Sequence, residues 1–114
     1  MKPLIQTGTM ELADQQTTSA FRVRLEAITL ILDLRVFGSR TCGEAREDSN
    51  LDVFIKVPKL DRALRNKIHD LAWEVGFEHD RVISTFVVTE EAVQEGAVGA
   101  SPLLAKVLAE GIAI

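Results

Sequence analysis

From Val36 to Ile55 the chain reads VFGSRTCGEAREDSNLDVFI, and the residues there whose types and spacing suit chemistry are Gly38, Ser39, Arg40, Asn50 and Asp52. Glycine lets a backbone approach a ligand closely, and a serine after it can cap a short helix whose free N–H groups favour an anionic oxygen, such as that of a nucleotide phosphate. Side chains two apart on a strand face the same side, with Cα atoms about 6.5 to 7 Å apart. Asn50 and Asp52 therefore project together, while Leu51 and Val53 point the other way. A carboxylate beside a phosphate cradle is the donor set that magnesium favours.

Positioning these groups requires a strand on each side of the turn. The apolar run Leu30 to Phe37 predicts a largely buried strand, and a second begins at Asn50 and ends before Pro58. Ahead of them, Phe21, Leu25 and Ile28 recur at helical spacing and predict a first helix over Asp14 to Ile28. After them, Asp61 opens a long helix running to about Val75. Its apolar stripe is Leu60, Ala63, Leu64, Ile68, Leu71, Ala72 and Val75, and Gly76 ends it. Val82 to Thr89, rich in β-branched residues, predicts a third strand. Thr89 is placed to cap an acidic helix start at Glu90 and Glu91, Gly96 and Gly99 mark a mobile connection, and Ser101-Pro102 opens a last helix ending at Glu110. Its expected buried face is Leu103, Leu104, Val107 and Leu108. The apolar tail after Gly111 either joins the sheet or meets another chain.

Phe37-Gly38-Ser39, ten residues, then Asn50-Leu51-Asp52 and an apolar strand resembles the signature of the minimal nucleotidyltransferases of the DNA polymerase beta superfamily, Gly-Ser followed after about ten residues by Asp-x-Asp. The resemblance covers nearly the whole chain, from about Asp14 to Ile114. It implies an α/β (α+β) fold with a small mixed sheet and helices packed on it. It further implies transfer of a nucleotidyl group, AMP from ATP, to a protein or small molecule with Mg2+. Gly38 and Ser39 would hold the triphosphate, Arg40 would neutralise charge on it, and Asp52 with the Asn50 position would hold the metal. Many such domains are antitoxins paired with a HEPN-type helical partner, which implies a protein partner here.

Three departures from the family pattern bear on activity. Asn50 stands where the first aspartate should be, and its amide oxygen brings no charge. The family's Gly-Ser-Arg-Ala-Arg-Gly reads Gly38-Ser39-Arg40-Thr41-Cys42-Gly43, without the second arginine. A third acid expected near Ile83 to Val88 is replaced by Ser84 and Thr85. These imply a weakened metal site, and with it the alternative of a binding module or antitoxin that kept the fold and lost the chemistry.

The remaining reactive residues read more plainly. Cys42 is a small inert residue with no histidine near it in sequence, and Asp48 is a solvated loop acid, with a displaced ligand as the alternative. His69 and His79 are surface histidines. Trp73 falls off the apolar stripe of the long helix, where it leans on a neighbouring loop or anchors a partner.

A length of 114 residues suits one domain, expected over 13–114 after a loose leader over 1–12. A formal net charge of -4 argues against broad binding to a phosphate backbone, so nucleic acid is not an expected partner. A lone cysteine forms no internal disulfide, and neither a signal-like apolar region nor a membrane-length stretch is present, which together predict a cytoplasmic protein, with homo-oligomerisation left open.

Overall fold

Leucine, valine and isoleucine occupy every second position from Leu51 to Val57, and that alternation makes β2 (Leu51–Val57), the strand that carries Asp52. The computed structural model describes residues 12–37, 50–95 and 101–114. Around β2 lie α1 (Leu12–Glu26) and β1 (Asp33–Phe37) before it, then α2 (Arg62–Glu78), β3 (Ile83–Thr89), α3 (Glu90–Glu95), α4 (Pro102–Glu110) and β4 (Ile112–Ala113). The sheet has four strands in the order β3-β2-β1-β4. β2 pairs antiparallel with β1 and parallel with β3, and β1 pairs antiparallel with β4. This is the mixed α+β arrangement that the sequence predicts. Residues 1–11, 38–49 and 96–100 lie outside the described residues, and with them all but Leu12 of the leader expected over 1–12, the site residues Gly38, Ser39 and Arg40, Cys42, Asp48, and the connection expected at Gly96 and Gly99.

One face of the sheet carries Leu34, Val36, Leu51, Val53, Ile55 and Val57, which pack with Phe21 and Leu25 of α1 and with Ile68, Ala72 and Val75 of α2. The opposite face forms a smaller cluster of Phe54 and Val88 with Leu104 and Val107 of α4. Phe54 and Phe86 meet edge to face there, with ring centroids 5.6 Å apart. On α4 the buried stripe is narrower than expected: Leu104 and Val107 are buried, whereas Leu103 and Leu108 stand largely exposed.

Several boundaries differ from the sequence expectation for identifiable reasons. β1 begins at Asp33 and not at Leu30, which is 65% exposed, because the ladder stops where β2 runs into Pro58, a residue without an N–H to donate. α1 ends at Glu26, so Ile28 leaves the apolar stripe, and the buried side of the first turns is polar: Asp14, Thr17 and Thr18. The threonine hydroxyls donate to the carbonyls of Ala13 and Gln15 at 2.8 and 3.0 Å, and Asp14 accepts from Arg81 Nε at 2.9 Å. Gly76 does not end α2. The helix runs a further turn to Glu78, and Gly76 is buried within it because a Cβ there would meet the Arg81 carbonyl oxygen at 2.4 Å. Asp80, at φ 57°, makes the left-handed turn instead. Ala63 faces solvent rather than the stripe.

Other signals operate as expected. Asp61 caps α2 by accepting from the Leu64 N–H at 2.8 Å, and Thr89 caps α3 by accepting from the Ala92 N–H at 3.0 Å. Ser101 caps α4 with Pro102 at its first position. The apolar tail joins the sheet as β4, held also by the Ile114 N–H donating to the Leu34 carbonyl and by Arg22 donating to the Ile114 carbonyl. Among the described residues no helix is long and apolar enough to cross a membrane.

Candidate functional site

Asp52 is the second residue of β2, and its position follows from two ladders. Across the antiparallel ladder it lies opposite Phe37, the last residue of β1 and the one bonded to Gly38; across the parallel ladder it lies opposite Ser84. The site therefore sits at the sheet edge where β1 ends and β2 and β3 begin. Alternation puts Asp52, Phe54 and Lys56 on one face, so the next row along that face is Arg35, Phe54 and Phe86, and the row beyond is Asp33, Lys56 and Val88. Asn50, one residue before the strand, is exposed.

The electrostatics single out Asp52. It is half-buried, and burial pushes its carboxyl above the ordinary value of 3.8. Nearby cations are already engaged. Lys56 pairs with Glu90 at 2.8 Å, and Arg35 pairs with Asp33 at 3.0 Å while also donating to the Leu108 carbonyl. Lys56 lies four residues along the strand from Asp52, a separation of about 13 Å. Among the described residues no cation stands within ion-pair distance of Asp52. A carboxylate kept partly out of water, with no compensating charge among the described residues, is costly to the fold, and such groups concentrate where a ligand supplies the missing charge.

Asn50 and Asp52 are brought to the same sheet edge; Gly38, Ser39 and Arg40 lie outside the described residues. Ser84 is the side chain adjoining Asp52 on β3, whereas Thr85 belongs to the opposite face, beside Val53. Along β3 the Asp52 face thus carries Ser84, Phe86 and Val88 and no acid, and the acid of β1 on that face, Asp33, lies two rows away and pairs with Arg35. Among the described residues no three His, Cys, Asp or Glu side chains gather to hold a metal ion, and His69 and His79 are on α2 and its cap, remote in sequence from the Asp52 row. One carboxylate and an amide do not make a resident two-metal site. They do fit a single hard cation that arrives with a triphosphate, since magnesium commonly takes one or two carboxylates and completes its shell with phosphate oxygens and water.

Sequence reasoning missed the support beneath Asp52. Phe54 is two residues on from Asp52 and Phe86 two on from Ser84, so both aromatics floor the same face, and simple alternation along β2 and β3 would have found them. It also missed that Arg35 and Lys56 are locked in ion pairs on this face, a fact that depends on register.

A four-stranded mixed sheet, with Gly38-Ser39 following one strand in sequence and an acid near the start of the next, is the arrangement that the nucleotidyltransferase resemblance implies, and comparison with solved structures gives the same fold. A chain of a toxin–antitoxin complex with AMP-PNP superposes with a TM-score of 0.58 at 16% identity, covering 82% of this chain and 69% of that one. A chain of a mutant MntA–HpeT toxin–antitoxin complex gives 0.61 at 15% identity, covering 85% and 70%. The tri-AMPylated Shewanella oneidensis HEPN toxin in complex with its MNT antitoxin contributes a chain at 0.56 and 16% identity, covering 88% and 70%. The chain has the fold of a minimal nucleotidyltransferase domain. No protein-family model matches it, and no curated protein matches it.

Proposed function

We propose that this protein binds ATP with magnesium at the Asp52 edge of the sheet and transfers AMP to a protein or small-molecule acceptor, acting as the antitoxin-type partner of a HEPN-like protein in the cytoplasm, where ATP is abundant. The observation that carries the reading is Asp52 itself: a half-buried carboxylate with a raised pKa, no neighbouring cation among the described residues, and a strand partner, Phe37, that leads into Gly38-Ser39. Gly38 and Ser39 supply the phosphate cradle, Arg40 balances charge on the triphosphate, and Asp52 with the Asn50 amide holds the cation. Bound there, magnesium supplies charge stabilisation for the phosphate oxygens. In the transfer, an acceptor hydroxyl oxygen attacks the α-phosphorus and releases its proton to water, the bond from that phosphorus to the bridging oxygen breaks, and pyrophosphate leaves. Solved relatives in fold include a complex with AMP-PNP and an AMPylated toxin bound to its antitoxin, which supports the choice of nucleotide and of partner.

A second reading, a nucleotide-binding antitoxin without transfer activity, is favoured by one observation. Both positions beside Asp52 where a further acid would sit, Asn50 and Ser84, are neutral. Labelled ATP and magnesium, supplied with the protein encoded beside this one, separate the two. Labelled partner supports transfer. Label that appears only with Asn50→Asp supports the binding module. Absence of both label and calorimetric ATP binding, in the protein and in Asn50→Asp alike, sinks both readings.

A further inference from the structure

β3 is the last strand of the sheet: β2 lies on one side of it and, among the described residues, no strand lies on the other. The parallel register decides where its backbone groups point. The Leu51 N–H donates to the Val82 carbonyl at 2.7 Å, so by alternation Ser84, Phe86 and Val88 turn their N–H and C=O groups to β2, while Ile83, Thr85 and Val87 turn theirs outward. Among the described residues no backbone group meets those three on the outer side. Natural sheets ordinarily refuse a further strand by placing a charge, a proline or a bulge on the edge, or by making the edge very short. The opposite edge, β4, is two residues long. β3 runs Ile-Ser-Thr-Phe-Val-Val-Thr over seven residues, with neither a charge nor a proline.

We infer that β3 pairs antiparallel with β3 of a second copy of this chain, about a two-fold axis passing beside Thr85 and normal to the sheet. The occupant follows from the strand itself. Centring on Thr85 sets the three outward residues against one another, Thr85 against the partner's Thr85 and Ile83 against the partner's Val87, and these narrow pairs satisfy every outward N–H and C=O of the three residues on both copies. The side chains agree with that register. On the α1–α2 face threonine meets threonine, a favoured cross-strand pair, and β-branched Ile83 meets β-branched Val87. A two-fold repeats every unfavourable pair as well as every favourable one, and a strand without charge brings no like charges opposite each other. The helix above the edge adds to the contact. α2 lies against β3 at Gly76, which faces the Ile83 amide, and holds α1 on its other side through Glu78 and Arg24, where Arg22 of α1 reaches Ile114 next to β4. Trp73 is therefore on the flank of α2 that overlooks the β3 edge. It is 67% exposed and stacks on Phe77 of its own helix, not on a loop. The second copy's α2 comes alongside across the seam and covers part of that ring, which supplies apolar area that a strand contact lacks. The total remains at the lower end for specific interfaces, so the dimer is concentration-dependent.

Sedimentation equilibrium of the full chain over about 5 to 500 µM, with amide hydrogen exchange read by NMR at both ends of that range, tests the pairing without any ligand and so independently of the nucleotide reading. The expected result is a monomer–dimer equilibrium in which the Ile83, Thr85 and Val87 amides slow by about tenfold or more on dimerisation, while those of Ser84, Phe86 and Val88 are protected in both states. Thr85→Pro removes an N–H that no β2–β3 bond uses, so it leaves a folded chain whose dimer is weaker by at least about tenfold. Thr85→Cys in a Cys42→Ser background is the second variant. The axis holds its two Cα atoms about 5.5 Å apart, inside the disulfide range of about 4.4 to 6.8 Å, and oxidation gives a covalent dimer. Val87→Cys in the same background, with its Cα atoms more than about 13 Å apart, does not cross-link. Circular dichroism separates loss of the dimer from loss of the fold, and where Thr85→Pro does not fold the cysteine variants decide. A strict monomer at all concentrations, a dimer whose Ile83, Thr85 and Val87 amides exchange freely, or cross-linking at 87 and not at 85 overturns the inference. So do amides already protected in the monomer, or protected only when a different protein is added.

Discussion

Replacing Asp52 with asparagine should make the protein more stable and less able to bind its ligand, and the stability gain should depend on pH in a defined direction. Burial raises the folded-state pKa of Asp52 above its ordinary value of 3.8. For a group whose folded pKa is raised, its contribution to stability is fully present below the unfolded pKa and is lost as pH rises through the folded pKa. At about pH 3.5 both states are largely protonated, and Asp52 and its asparagine variant should melt together. Toward neutrality the parent carries a partly desolvated charge that the variant lacks. A polar group left buried without a partner costs about 1 to 3 kcal/mol, and a half-buried one that water still screens belongs at the lower end, about 1 kcal/mol. For a chain of this length that corresponds to about 3 to 6 °C in Tm. Thermal melts from about pH 3.5 to 8 should show the gap opening with pH. In the same preparations, calorimetry with ATP and magnesium should show at least about tenfold weaker binding, because in the proposed site Asp52 supplies the carboxylate for the cation. A variant that melts below the parent at neutral pH, or a gap that does not change with pH, would refute the view that Asp52 is held for a ligand at the expense of the fold.

Asn50→Asp restores a second carboxylate two residues from Asp52 and is expected to raise nucleotidyl transfer by at least about a hundredfold, measured with labelled ATP and the neighbouring partner. Asp14→Ala removes the carboxylate that accepts from Arg81 Nε and leaves a gap at a position that is 1% exposed, and should cost about 3 kcal/mol in urea denaturation. Gly76→Ala, which in an ordinary helix interior would stabilise, is expected instead to destabilise by about 1 to 3 kcal/mol, because the new methyl meets the Arg81 carbonyl; a rise in Tm would contradict this.

What was legible in the sequence was local. Strict alternation identified β2 and put Asp52 on the face opposite its core, and the capping roles of Asp61, Thr89 and Ser101 follow from residue types that satisfy helix-start N–H groups wherever they occur. What was not legible depended on partners distant in the chain. Gly76 reads as a helix stop because that is its commonest use, whereas its reason is contact with Arg81 across a turn. The helical spacing that marks α1 begins only at Phe21 and says nothing of Asp14, which is buried and accepts from a guanidinium 67 residues away. Ser84 could be named as the place of a missing acid, but only the parallel register with β2 sets it beside Asp52 and turns Thr85 to the other side.

The pairing of β1 with both β2 and β4 has a consequence for how the chain is made. β2 emerges soon after β1, but β4 follows roughly 75 residues after Phe37. At ribosomal rates of about 5 to 20 residues per second, one side of β1 waits about 4 to 15 s for its permanent neighbour. During that interval its N–H and C=O groups are an open template on which a nascent chain from the same message could add. Asp33 and Arg35 alternate along this strand and pair with each other, placing two charges on an edge otherwise made of Leu34, Val36 and Phe37. Neutralising that pair would show first as lower soluble yield during synthesis and only second as a lower melting temperature of the finished protein.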